Sequence, residues 1–594
     1  MSKALNEGRG VRPLAASRVM RAIGSAALVT TMAAAASAQI APAGAATVRH
    51  DEHSATRVLA HRTSPHVPCT DTWLGGTGQW SVSGSWSAGT PQGANDAVVC
   101  ITAPGSDVEA LGQDMAVGEL VVGASTGSPA TLSLISNNST ATYIGVTSDS
   151  VIEPTGIVDM ASGSDSSTGI SNFYTSGAAI VTNDGTIETS GYQADLYANI
   201  TNASSGTLSF DADETQSTQT IVNDGSLTVD TGMGLELDGL AFTQSSGSID
   251  NLGSIVQNAT SFDMAGGAET HNPIEFTGVQ FTDAGGTGTF LLKAENTIDG
   301  TIPAGQTVTL ASTTGVGTDT NFGGAHVVNR GKLVLDVEVS GPTNQIGESP
   351  LLNYGTFDIE AVAAGAVLTA PITNEVGGLL DATGPGFVMN QNLTNDGRLT
   401  LGAGTVMTDS GYPIVEGHVA TLGLTIGAHD SSVTADGGTT FSLAGTLAIS
   451  TTKALAKGTK VVPISSPELA VSGRFTALWF PNAAYAVGYS PTSVSLTAGT
   501  PFTAKGKAFK ATKGRKATFT VATVAGVPAK TTLSASINWG DKSAASSGKV
   551  TIKGTTARVT GVHKFLKAGT FTVRVTIKDS NGTVRVVTES VKVG

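Results

Sequence analysis

Apolar residues along this chain come in short bursts that alternate with polar ones, and an asparagine and a glycine punctuate the bursts. Val181 to Thr189 reads VTNDGTIET, and Val222 to Asp230 reads VNDGSLTVD. Alternation with a period of two predicts short strands with one buried face. The unit apolar-x-Asn, a short spacer, Gly and a further alternating run recurs at Asn183, Asn202, Asn223, Asn251, Asn329, Asn353, Asn374 and Asn395. The steps are 19, 21, 28, 78, 24, 21 and 21 residues. A recurring interval of this size marks a repeat array, and the 78-residue gap leaves room for three degenerate copies.

Asn-Asp-Gly between alternating runs is also a hairpin signal, and a meander of hairpins would bring the turn back about every ten residues. One corner per twenty-odd residues fits instead one coil of a three-sided parallel solenoid. Glycine at the corner is expected to supply a left-handed backbone, and asparagine to tolerate it. One asparagine at one corner of successive coils would form a side-chain ladder at the strand spacing of about 4.8 Å. The expected fold is all-β, a right-handed parallel β-helix of roughly sixteen coils, on the order of 75 Å long.

Composition agrees with many small cores rather than one large one: 74 Gly, 13% charged and 5% aromatic residues. Residues 1–46 carry Lys3, Arg9, Arg12, Arg18 and Arg21 ahead of AIGSAALVTTMAAAA, the pattern of a secretory signal peptide. Residues 47–68 hold His50, His53, His61 and His66 without apolar patterning and are expected to be a disordered leader rather than a metal site. No later stretch is long and apolar enough for a transmembrane anchor. Export makes Cys69 and Cys100 readable as one disulfide, for which loop-closure entropy suggests about 3 to 4 kcal/mol.

Solenoid ends are open sheet edges that need covers. Trp73, Trp80 and Trp86 suit an N-terminal cap with first coils over 69–135, with stacking on glycan rings as a second use. Phe475, Trp479, Phe480, Tyr485 and Tyr489 suit a C-terminal cap closing the helix of 136–499. Charge falls in blocks: no Lys or Arg lies between Arg62 and Lys293, against 25 acidic residues. Residues 500–594 reverse the sign, with 17 basic residues against Asp541, Asp579 and Glu589, a net of +14. Lys505, Lys507, Lys510, Lys513, Arg515 and Lys516 are the first of these and are candidate polyanion-binding residues.

Two segments resemble known families. Trp73 to Val98, reading W-x-G-G-x-G-x-W, W-x-x-G-x-P and D-x-V, resembles the opening of secreted adhesin-like, autotransporter-passenger-like and pectin-lyase-like parallel β-helices. Gly473 to Leu496 is similar to their last coil; the outer-membrane barrel of true autotransporters is not recognised in the sequence. The final segment resembles a PKD domain, which implies an immunoglobulin-like β-sandwich over 500–594. The matching residues are Trp539, Gly540, Asp541, His563, Phe565, Gly569 and Asp579. Lys542 departs from that pattern, where a second glycine is usual, and Phe565 replaces a common tyrosine.

Catalytic chemistry finds little support in the residues. A uronate lyase needs clustered cations, and Arg330 and Arg398 stand alone beside repeat glycines. Glycoside hydrolysis needs one carboxylate pair, whereas Asp184, Asp224 and Asp396 repeat one position, as a structural stack would. No catalytic residue, cofactor or metal is assigned. The sequence points to an exported, non-enzymatic structural or adhesion rod. Its basic end would attach to polysaccharide, a cell-wall polymer or protein partners, and no specific nucleic acid is implied. The alternative is a polysaccharide-processing enzyme with a carbohydrate-directed PKD module.

Overall fold

A computed structural model describes residues 68–594 except 92–93, 138, 164–168, 240, 259, 312–319, 338–343, 362–365, 437–439, 467–470 and 482. The signal-peptide and leader assignments, with their four histidines, lie outside the described residues. From Asp71 to Ala498 the chain forms a parallel β-solenoid of about 14 turns. That is slightly shorter than the roughly sixteen coils expected, or about 67 Å at about 4.8 Å per turn.

Each turn follows from the alternation in the sequence. In the turn after Asn202, Thr207–Ser217 forms two sides and Ile221–Asn223 the third. Leu208, Phe210, Ala212, Ile221 and Leu227 point inward and are fully buried, while the residues between them face out. Each strand pairs in register with its counterpart one turn on, as Leu208 does with Leu227 and Asn202 with Asn223. Like therefore stacks on like. One continuous apolar column runs from Trp73 to Ala498.

The corner glycines work differently from the expectation. Gly185, Gly225, Gly355 and Gly397 are absent from the positive-φ residues. A Cβ on any of them would instead collide with backbone carbonyl oxygens of the preceding turn, such as Ala203 O and Gly206 O beneath Gly225. Close approach of stacked turns, rather than left-handed backbone, demands glycine here.

The cross-section changes midway. Among the described residues Ala268–His271 has no strand pairing with the next turn beyond the isolated bridge Ala268 to Thr287 and the Thr289 N–H bond to the Glu269 carboxylate, so one side ends. Asn296–Ile302 then forks: residues 296–298 pair with Thr320–Phe322, while residues 301–302 pair with Val327–Asn329. One side has been lost and another divided in two. Later turns are built as Lys332–Val337, Asn344–Ile346 and Leu351–Asn353.

Both ends are covered. Trp73 and Trp80 each meet Trp86 edge to face, with ring centres 5.1 and 4.8 Å apart. Cys69 and Cys100 form a disulfide spanning 31 residues. At the far end Tyr485–Ser490 and Ser493–Ala498 make an antiparallel hairpin that pairs with Lys460–Ser465. Phe480 and Tyr485 are buried there, but Trp479 is 40% exposed and so does not plug the core. Residues 502–593 pair mainly antiparallel around a second apolar cluster containing Phe502, Ile537, Trp539, Val559 and Phe565. Ala477–Pro481 of the last turn pairs with Thr583–Val593.

Candidate functional site

The asparagines were the strongest sequence signal, and their chemistry is internal. Asn183 Nδ2 donates to Asn202 Oδ1 at 2.7 Å, Asn202 to Asn223 Oδ1 at 2.7 Å, and Asn223 to Gln244 Oε1 at 2.7 Å. A second run links Asn329 to Asn353, Asn374 and Asn395 at 2.7, 2.8 and 2.7 Å, and ends on Glu416 Oε2 at 2.8 Å. Every asparagine amide of the two runs except that of Asn395 also donates to a backbone carbonyl of the following turn, as Asn353 does to Leu379 O at 3.0 Å. Asn183 Oδ1 and Asn329 Oδ1 have no partner, because Ile152 and Ile302 occupy the corner one turn before them. The ladder is thus two ladders. Met264 and Asp283 occupy the corner between Gln244 and the fork, and with Ile302 they break the stack.

Asn251 is not a rung, contrary to the expectation. Val222 pairs with Thr243, which places Gln244 over Asn223, while Asn251 pairs with Val229 and His271 on another side. Its Nδ2 reaches Asn272 O at 2.9 Å and Pro273 O at 3.3 Å. The Asn-Leu-Gly of residues 251–253 resembles the motif but sits at a different corner. Gln244 and Glu416 went unnoticed although each lies one 21-residue step beyond a recognised rung.

Burial raises the carboxyls that enter this interior. Glu416 is pushed up to about 7 by burial, only partly offset by its bond from Asn395. Asp283 is pushed up to about 8 by burial against donation from Gln306 and the Gly285 backbone. Glu269, at an inward position filled by Ile249 one turn earlier, rises to about 7 by burial, opposed by the Thr289 N–H. Both carboxyl groups nearest the fork are therefore protonated acids at mildly acidic pH.

The three tryptophans cannot stack on sugars. Their exposure is 1, 0 and 3% for Trp73, Trp80 and Trp86, and all three indole N–H groups donate to backbone carbonyls. Packing at the end of the apolar column uses both ring faces.

The C-terminal motif residues do come together. The His563 ring lies flat on Trp539, 4.5 Å between centres, and meets Phe565 edge on. His563 Nε2 is 2.8 Å from Asp541 Oδ2. Burial pushes the Asp541 carboxyl up, but bonds from Ser543 and His563 outweigh it and hold it below its ordinary value. Gly540 and Gly569 have φ of 74° and 147°, and Asp579 caps its own turn through Asn581 and Thr583 N–H. Lys542 adopts φ of 69°, a left-handed conformation that suits glycine better.

The basic residues lie outside this cluster. Lys505, Lys507, Lys510, Lys513, Arg515 and Lys516 are all exposed. Four strands, Thr503–Gly506, Lys516–Ala525, Thr556–Lys564 and Ser546–Lys553, lie side by side and set Lys505, Lys516, Arg558, Lys564, Lys549 and Lys553 on one outer face. Lys516 stands directly opposite Lys564, and Thr523 separates Lys505 from Arg558. On the other sheet Lys510 stands opposite Lys592. Like charges directly opposite one another are destabilising, and the only ion pair among the described residues of this segment is His563 with Asp541.

Among the described residues no group of three or more His, Cys, Asp or Glu could hold a metal ion, and no helix is long and apolar enough to cross a membrane. The geometry defines a parallel β-solenoid protein with a basic antiparallel segment at its C-terminal end. No protein-family model, curated protein or solved structure matches the chain.

Proposed function

We propose that this protein is an exported, non-enzymatic rod of adhesin-like character. Its solenoid displays a surface, and its C-terminal PKD-like sandwich attaches it to an anionic extracellular polymer. The observation that carries this reading is the outer face bearing Lys505, Lys516, Lys549, Lys553, Arg558 and Lys564. Uncompensated like-charge neighbours on a threonine-rich face are relieved by a polyanion laid across them. The packing of His563 on the buried rings of Trp539 and Phe565 supports the sandwich reading. The signal-peptide pattern supports export.

The test is sedimentation of the full chain with insoluble acidic polysaccharide at rising salt. Binding should fall steeply toward 1 M salt, where charge screening reaches about 3 Å, and Lys516→Glu with Lys564→Glu should abolish it at low salt. Retention that ignores both salt and these substitutions would refute the reading.

One observation favours the enzymatic alternative. Asp159 and Glu188 face outward at paired positions on adjacent turns. Burial raises both carboxyls, with further raising of Asp159 by Asp107 and of Glu188 by Asp159. Two neighbouring carboxyls of raised pKa could serve acid–base cleavage of a glycosidic bond. New reducing ends from a glycan panel, lost in Glu188→Gln, would establish it.

A further inference from the structure

The fork in the solenoid wall has a consequence on its outer surface. Ser261 pairs with Gln280, Gln280 with Thr297, and Thr297 with Asn321, so four polar side chains stand in one column across successive turns. Beyond Asn321 the column continues through the residues that follow Ile346, Leu368 and Met389, which are paired one turn apart. A trough of about 1130 Å³ results, lined by Thr260, Gln280, Glu295, Asn321, Glu348 and Gln391 among others.

We infer that this trough is a binding site for a linear, uncharged, extended polysaccharide chain lying along the rod axis. Four features point to that ligand. The trough crosses six turns from Ser261 to Gln391, about 29 Å at about 4.8 Å per turn, a length suited to an oligomer rather than a compact metabolite. Its rungs repeat at the strand spacing, which is close to the repeat of an extended β-linked pyranose chain, so each sugar meets an equivalent rung. An extended peptide advances only about 3.3 Å per residue and falls out of step at once.

Charge and hydrogen bonding narrow the choice further. The lining contains Glu295 and Glu348 and no Lys or Arg, which repels polyanions and leaves neutral hydroxyl-bearing chains. Gln280 and Asn321 are exposed, and among the described residues neither side-chain amide has a protein partner, so each can offer donors and an acceptor to hydroxyls. Thr369 is different. Its single hydroxyl proton is already shared between Ile346 O and Gly347 O across the turns and braces the floor. A concave site with convergent amide and hydroxyl groups is what recognition of sugar hydroxyls requires.

The site is independent of the basic face, and the experiment separates them. The full chain is run in native gels containing mixed-linkage β-glucan, galactomannan, dextran or polygalacturonate. The β-linked neutral chains should retard it, whereas dextran, which is α-linked and does not stay extended, should not. Gln280→Ala with Asn321→Ala should weaken that retardation about tenfold, the loss expected for two hydrogen bonds. Thr297→Trp, which fills the trough from a partly exposed position, should abolish it while leaving the thermal midpoint unchanged. Lys516→Glu with Lys564→Glu should lose polygalacturonate and keep the neutral glycan. The inference is overturned if no β-linked neutral chain retards the protein, or if folded Thr297→Trp protein is retarded as strongly as the parent.

Discussion

Replacing Asn374 by alanine removes the middle of the second ladder. The Asn374 amide donates to Asn395 Oδ1 at 2.7 Å and Arg398 O at 3.0 Å, and its oxygen accepts from Asn353 at 2.8 Å. All of this is dry, since Asn353, Asn374 and Asn395 are fully buried. Alanine leaves Asn395 Oδ1 without its donor and costs Asn353 one acceptor. At about 1 to 3 kcal/mol for each buried group left unpaired, the loss is about 3 to 5 kcal/mol. Asn251→Ala is the control: it too is fully buried, but it holds only two backbone carbonyls, and its own oxygen is already unpartnered. Those carbonyls belong to Asn272, which is exposed, and Pro273, which is half-buried, so water replaces the lost donor and the cost is only about 1 to 2 kcal/mol. In a solenoid the damage stays with neighbouring turns. Native-state hydrogen exchange should therefore show lost protection across residues 351–401 in Asn374→Ala and little change around 181–229. Equal destabilisation by the two substitutions would refute the ladder as the source of corner stability.

Two further predictions follow from the interior. Glu416, Asp283 and Glu269 have carboxyls raised in the folded chain, so their contribution favours folding below the ordinary carboxylate range and is lost as pH rises through about 7 to 8. Denaturant midpoints should fall between pH 5 and pH 8.5, and Glu416→Gln, which copies Gln244 at the end of the first ladder, should recover about 3 kcal/mol at high pH; a flat pH profile contradicts this. Gly225→Ala places a methyl against Ala203 O and Gly206 O and should cost about 3 kcal/mol or more, measured by urea denaturation, whereas mere loss of backbone freedom would make alanine neutral or stabilising.

The turns were legible in the sequence because period-two alternation and the Asn-Gly corner are local signals. Asn183, Asn202 and Asn223 announce their stacking by spacing alone. Asn251 misled because a local motif does not reveal which corner it occupies; only register against Val229 shows that. Gln244 and Glu416 were missed because they keep the ladder's hydrogen bonding while breaking its residue type. The glycine rule was read for the wrong reason, since a clash with the turn below leaves no trace in one turn's own sequence. The tryptophans mark an end cap, but composition cannot distinguish a ring packed at an end from one offered to a sugar. The trough was illegible: Gln280, Thr297 and Asn321 look like ordinary surface residues until the register of successive turns aligns them.

The most direct test of the stacking is a pair of engineered disulfides. Val222 faces out and pairs with Thr243, one residue before the rung Gln244. Val222→Cys with Thr243→Cys should bridge on oxidation, whereas Val222→Cys with Asp250→Cys, the pair that stacking of Asn223 on Asn251 would require, should stay reduced. Bridging of the second pair and not the first would contradict the register on which the two ladders, the fork and the trough all depend.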